Sequence, residues 1–206
     1  MPRSAARNEA MRAATREAVL TAAVRRFAQH GFAATNMRDI AREAGVSTGL
    51  IYQHHASKDE LFTEVVTRAA DGLFATARTL TGDGDAASVL HDFTRRFLAD
   101  IATDRDAAEF FMVVNQAFLA DEPAGVRDRL RPGHQAFRQA LTEVIRRGQR
   151  RGRFGAGDPA EMVLCYLALL SGIVTTRLAL PDEVSLPSPE AVLRVLAPTD
   201  TDRSDR

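Results

Sequence analysis

Residues 47–58 read Ser-Thr-Gly-Leu-Ile-Tyr-Gln-His-His-Ala-Ser-Lys, which gathers hydroxyls, a carboxamide, two imidazoles and a cation in one short stretch. The set is not a catalytic constellation. His54 and His55 are adjacent, so on a helix they point about 100° apart and cannot grip one metal ion together. His91 and His134 have no His or Cys at ligand spacing, so neither a metal site nor a cofactor is expected. Gly45-Val-Ser-Thr-Gly49 has the G-x-S-x-G spelling of a hydrolase nucleophile elbow, but an elbow needs a strand before it. A helical pattern precedes it here, and Ser47 is better explained as a helix cap. What the stretch suits is contact with another polymer. Thr48 and Gln53 can meet base edges, Gln pairing bidentately with adenine, and Leu50 can touch a thymine methyl. Gly49 lets the backbone lie close.

Such residues need rigid elements on both sides. Thr35 is placed to cap a helix start, and Met37, Ile40, Ala41 and Ala44 recur at helical spacing as one apolar stripe. Gly45 supplies the left-handed residue of a helix stop, and Val46 plugs the turn into a core. Ser47 opens a short helix from Thr48 to about His54. Ser57-Lys-Asp-Glu60 is a capping box, followed by Leu61, Phe62, Val65 and Val66. Upstream, Leu20, Ala23, Val24, Phe27 and Ala28 form the inner face of a helix from about Asn8 to His30. Gly31 ends it, with Phe32 folding back. Two short helices joined by a tight turn, held between two longer ones, make a helix-turn-helix, whose partner is the DNA major groove.

Phe27-Ala-Gln-His-Gly-Phe32, Thr35, Ile40-Ala41, Ala44-Gly-Val-Ser47, Gly49, Tyr52, His54, Ser57-Lys58 and Leu61-Phe62 stand at fixed spacing. Together they resemble the DNA-binding domain of TetR-family transcriptional regulators over residues 20–62. The resemblance implies phosphate contacts from Tyr52, His54 and Lys58, with Thr35 or Asn36 adding another, beside Ser47, Thr48, Gly49, Leu50 and Gln53 on the recognition segment. It also implies a repressor, homodimeric through a four-helix contact, released from DNA by a small ligand. The chain departs from the family pattern at His55, where an aromatic residue usually packs into the small domain, and at Gln53, often a second aromatic.

Charge agrees with a DNA-binding head. The formal net charge is zero, yet residues 1–58 carry nine cations against four carboxylates, and the remainder is acidic. Arg3, Arg7, Arg12 and Arg16 form an arm that could reach phosphates, or a solvated helix face. Cys165 is the single cysteine and precludes an intrachain disulfide, which suits a reducing cytoplasm. No apolar run is read as long enough to span a membrane, because Tyr166, Ser171, Thr175, Thr176 and Arg177 interrupt the stretch 162–180.

The rest of the chain reads as helices, so the expected class is all-α: a head over residues 1–60, a body over 61–198 and a disordered tail over 199–206. The body helices carry Leu73 and Phe74 inward, then stripes of Phe, with an interruption at Pro132-Gly133. Phe74, His91, Phe93, Phe97, Phe111, Asn115, Phe118 and His134 are the candidates for a pocket holding a small hydrophobic or amphipathic ligand. The helix after Asp158-Pro159 is apolar on more than one side, with Cys165 read as core. Met162, Tyr166, Leu169, Leu170 and Ile173, with Val192 and Val195 of a last short helix, are expected to meet a second copy. A small-molecule-binding protein or enzyme with an incidental basic head is the competing reading; a DNA-binding assay separates the two.

Overall fold

A computed structural model describes residues 2–82, 84–181 and 183–198, and it is helical throughout. Among the described residues nine α-helices follow in order: α1 (Pro2–Ala34), α2 (Met37–Ala44), α3 (Thr48–Tyr52), α4 (Lys58–Leu80), α5 (Ala86–Thr103), α6 (Arg105–Ala120), α7 (Val126–Arg150), α8 (Pro159–Ala179) and α9 (Pro189–Leu193). A single 3-10 turn, Arg194–Leu196, ends the series. Asp158, read from sequence as a helix start, accepts from the Ala160 N–H, and Ser188 accepts from the Ala191 N–H; Asp85, which the sequence reading left in a loop, caps α5 by accepting from the Ser88 N–H. The tail 199–206 and the side chain of Arg3 lie outside the described residues.

The chain packs as two compact units. The first is Met1–Ala69 with Glu109–Leu130, and the second is Ala70–Ala108 with Arg131–Arg206. Packing therefore does not divide at residue 60. The apolar face of early α4, through Leu61, Phe62, Val65, Val66 and Ala69, closes the core of the first unit. Val113 and Ala117 of α6 and Val126 and Leu130 of α7 complete that core, with Phe110, Val114 and Phe118 packed against it.

The second unit has its own core around Leu80, Leu90, Leu141, Ile145, Tyr166, Leu170 and Leu196. α7 runs on through Pro132 without the expected interruption, losing one backbone hydrogen bond. Gly133 rests against the backbone of Ala70, where a Cβ would come within 2.8 Å of the carbonyl oxygen. Phe93 lies 6.3 Å from Phe97 and 5.7 Å from Phe137, ring centre to ring centre.

α8 corrects three expectations. Val163, Tyr166, Leu170 and Val174 face the core, and the Tyr166 hydroxyl lies 2.7 Å from that of Thr94. Burial pushes the Tyr166 pKa up, against the hydrogen bond to Thr94. Tyr166, Leu170 and Val192 are thus interior and cannot meet a second copy. Cys165, expected in the core, is exposed instead. It sits in a stripe with Leu164 (65% exposed), Ala168, Leu169 and Gly172. Lastly, α8 does have the length that a membrane-crossing helix requires and an 18-residue window of mean hydropathy 1.8, because Glu161 and Arg177 stand near its ends and the polar residues between them are hydroxyls. Its inner face is nonetheless committed to the core, so only the outer stripe needs a cover.

Gly148 offers a direct check on the second core. A Cβ there would sit 2.1 Å from the Phe154 ring. Gly148→Ala should displace Phe154 and destabilise the protein by about 1–3 kcal/mol, measured by urea unfolding. An unchanged midpoint would show that Phe154 is not held in this site.

Candidate nucleic-acid interface

The geometry of residues 35–58 follows from where α1 stops. Gly31, at φ 75° and ψ 170°, breaks the helix, and Phe32 turns back. Its ring lies 5.9 Å from that of Phe27 and 5.0 Å from that of Phe62, while Phe27 and Phe62 meet edge to face at 4.8 Å. α1, the connection after it and α4 are pinned together at this point.

α2 is capped by Asn36, whose side chain accepts from the Asp39 N–H at 2.9 Å. Thr35, expected as the cap, is only 2% exposed, and its hydroxyl lies 2.8 Å from the Gly31 carbonyl and 3.1 Å from that of Arg26. The break at Gly31 leaves its own carbonyl without an onward amide, so the Thr35 hydroxyl serves it, and Asn36 takes the cap one residue later. α2 ends in a Schellman stop: Gly45, at φ 68°, donates to Arg42, and Val46 donates to Ala41 at 3.0 Å.

α3 is shorter than the sequence suggests and gives way to a turn at Gln53 and His54. Ser47 caps it by accepting from the Leu50 N–H at 3.2 Å. Ile51 is its buried anchor. Gly49, Tyr52 (52% exposed), Gln53 and His54 face solvent, while Thr48 and Leu50 are half-buried. One short helix therefore offers hydroxyl, amide, imidazole and phenol groups on a surface held by a single apolar residue. After it, the Ser57 hydroxyl accepts from the Glu60 N–H at 3.1 Å. The Glu60 carboxylate accepts from the Ala56 N–H at 2.6 Å, so the capping box reaches back one residue further than drawn from sequence.

His55 is a buried imidazole, 3% exposed, whose Nε2 lies 2.7 Å from Oε2 of Glu64 on α4. Arg16 reaches the other oxygen of Glu64 at 2.8 Å, and Arg68 lies 3.4 Å away. Arg68 also grips Glu17 with both terminal nitrogens, at 2.9 and 2.7 Å. An ionic lattice thus takes the place of the aromatic residue expected at position 55. It also occupies Arg16, while Arg7 and Arg12 stay exposed. Burial disfavours the Glu64 carboxylate, but hydrogen bonds to His55 and Arg16 outweigh it and hold its pKa below the usual value.

Sequence reasoning singled out neither of two further residues. Arg38, next to the first residue of α2, is exposed and close in sequence to Asn36; its signal was a cation on the polar side of a short amphipathic helix. Glu64 carried no signal of its own beyond the histidine at an aromatic site, which calls for a carboxylate nearby. Lys58 also differs from expectation. Its ammonium lies 2.7 Å from the Phe32 carbonyl, 3.3 Å from that of Ala33 and 2.9 Å from that of Thr35.

Residues 19–65 match the family model for bacterial regulatory proteins of the tetR family. Over 153 residues the chain is 31% identical to the HTH-type transcriptional repressor KstR2 of Mycobacterium tuberculosis, covering 72% of this chain and 74% of that repressor. The chain belongs to the TetR family. It is also 26% identical to the HTH-type transcriptional regulator TtgR of Pseudomonas putida, over 84% of each chain. Its fold matches that of the regulator FadR from Bacillus subtilis, solved in complex with stearoyl-CoA, with a TM-score of 0.66 and 19% identity over 88% of this chain and 97% of that one. As a TetR-family protein the chain is a helix-turn-helix transcriptional regulator, and α2 and α3 are the two helices of its motif.

The expected ligand residues of this TetR-family chain are divided between the two compact units. Phe111, Asn115 and Phe118 belong to the first unit. Phe74, His91, Phe93, Phe97 and His134 belong to the second, and there they part again. Phe74 is exposed in a surface notch with Gln139 and Glu143. His91 pairs with Glu190 at 2.9 Å, and Glu190 is held down to about 2, first by that hydrogen bond. His134 is half-buried, with its pKa lowered by burial and then by Arg138. Phe93 and Phe97 line a groove of about 590 Å³ with Leu80, Val89, Asp92 and Arg96.

The lattice at Glu64 has a pH signature. A carboxylate whose folded pKa lies below its unfolded value adds stability above that unfolded value, near 4.5, and loses it as pH falls through the folded pKa. Glu64→Gln should therefore cost about 1–3 kcal/mol at neutral pH, by leaving buried donors without their anion. In thermal melts the gap from the parent protein should close at acid pH. A gap that stays constant from neutral to acid pH would count against the lattice.

Proposed function

We propose that this chain is a homodimeric repressor that sits on a palindromic operator and leaves it when a small amphipathic ligand binds its second unit. The observation that carries the reading is the exposed polar face of α3 and the turn after it, standing on a motif whose every end is capped. Thr48, Gln53 and Leu50 are the base-reading candidates, and Ser47, Tyr52, His54, Asn36 and the exposed Arg38 are the backbone-contacting ones. Arg7 and Arg12, on the amino end of α1, are further candidates for phosphate. The regulator would act in the cytoplasm, where the chromosome is.

The uncovered stripe of α8 supports pairing with a second copy, since an apolar helix face of that size is seldom left in water. Leu164, Cys165, Leu169, Ile173, Met162 and Val195 are the residues for that contact. A two-fold pair places two recognition helices about 34–36 Å apart, one turn of DNA, or a longer multiple. The groove beside Phe93 and Phe97 combines apolar rings with Asp92, Arg96 and Asp100, which suits an amphipathic ligand. Such a ligand releases DNA only if it favours a state whose heads are wrongly spaced.

The deciding experiment is selection of fragmented source-genome DNA on the purified protein at near-physiological salt. A shared palindrome is the expected result, and recovery without any common sequence would sink the specific-regulator reading. On the recovered site, Tyr52→Ala should weaken binding to all sequences and flatten the salt dependence by about one contact per subunit. Gln53→Ala should relax preference at one base position. Leu164→Glu should turn the dimer into a monomer in sedimentation; a dimer that persists would place the contact elsewhere.

A further inference from the structure

Lys58 is the only lysine among 27 lysines and arginines. It is the first residue of α4, where the positive end of the helix dipole disfavours a cation, and the next two residues, Asp59 and Glu60, follow the opposite and favourable rule. Its place has an explanation in the geometry. Three carbonyl oxygens converge on its Nζ, those of Phe32, Thr35 and Ala33, at 2.7, 2.9 and 3.3 Å. The Phe32 ring lies beneath it with its centroid 4.2 Å away. An ammonium has three donors in tetrahedral array, so all of them are engaged here. The carbonyls belong to the segment that follows the break of α1 at Gly31, where the Phe32 carbonyl also accepts from the Thr35 N–H at 3.3 Å.

We infer that Lys58 is a positioning residue of the DNA-binding head and not one of its phosphate contacts. This rests on the helix-turn-helix reading. The ammonium ties the α1–α2 connection to the start of α4, and those two points bracket α2 and α3. Asn36, which caps α2, directly follows Thr35, whose carbonyl is one of the three acceptors of the cage. The spacing of the motif between its two flanking helices therefore depends on one cation, 23–26 residues away in sequence from the carbonyls it holds. A guanidinium is planar and presents its donors as a fork, so arginine cannot reproduce a three-carbonyl cage. A phosphate contact, in contrast, would accept arginine readily.

Two measurements test this, one of them free of any assumption about DNA. With a single lysine in the chain, selective labelling of lysine with nitrogen-15 gives one side-chain ammonium signal. In the free protein that signal should show slowed hydrogen exchange, and adding the duplex recovered by genomic selection should leave it nearly unchanged. An ammonium that exchanges freely alone and becomes protected only with DNA would overturn the inference. Failure to bind any DNA would defeat the regulator reading but leave the free-protein result standing. The second measurement is affinity against salt for Lys58→Arg and Lys58→Met, each assayed below its own melting temperature. Both should bind roughly tenfold or more weakly, as expected for losing a charge-assisted hydrogen bond, with the salt slope of the parent. Full affinity in Lys58→Arg, or a slope reduced by about 0.9 per subunit in Lys58→Met, would return Lys58 to the phosphate contacts. Should both variants prove unfolded, the ammonium signal of the parent protein decides by itself: protection in the absence of DNA supports the cage, and free exchange overturns it.

Discussion

The head of this protein is organised around the place where α1 stops. A helix that ends leaves carbonyl groups without amide partners, and an end packed against other helices cannot simply give them to water. Here Gly31 turns the chain out of the helix, and the carbonyls of Phe32, Ala33 and Thr35 then point to one spot. Lys58 fills that spot, Thr35 satisfies Gly31, and the ring of Phe32 drops onto Phe27 and Phe62. The motif that follows is too short to fold alone: α2 has eight residues and α3 has five. It holds its shape because both of its ends are fastened to this junction.

The opposite side of the head uses charge where a ring would serve. His55 is buried, and a buried polar group is tolerable only with a partner. Glu64 supplies one, and its hydrogen bonds to His55 and Arg16 hold its pKa below the usual value against the effect of burial. Such a lattice is directional where an aromatic contact is not. It places the chain leaving α3 at a set height on α4. It also draws Arg16 into the fold and leaves the outer part of α1, with Arg7 and Arg12, as the exposed part of the basic arm.

α4 and α7 each contribute to both compact units, and residues 109–130 build the core of the head although they are far from it in sequence. A linear boundary could not anticipate this. The apolar stripe of α6 reads equally well as part of a ligand pocket or as packing for another unit, because periodicity gives a face and not its neighbour. The same ambiguity explains Phe74 and Tyr166. Leu73 and Phe74 are adjacent, about 100° apart on a helix, so only one can be fully interior. Leu73 packs against the core, and the larger ring is exposed. α8 is apolar all round, so sequence alone could not tell that Tyr166 and Leu170 face inward while Leu164 and Cys165 face out.

What the sequence determined by itself is local. The caps at Ser47, Ser57, Asp158 and Ser188, the glycine stops at 31 and 45, and the helical spacing of apolar residues each act within about one or two turns of chain. These sufficed for the all-helical class and the helix-turn-helix. Only the tertiary structure decided the carbonyl partners of Lys58, the partner of His55, the cap at Asn36 in place of Thr35, the side of α8 that is buried and the unit to which most of α6 belongs. Each of these depends on groups brought together from distant parts of the chain, or on a choice between equally good local partners. No rule acting over a few residues can settle either one, because it is the packing of whole helices that fixes where an unpaired carbonyl or an apolar face must go.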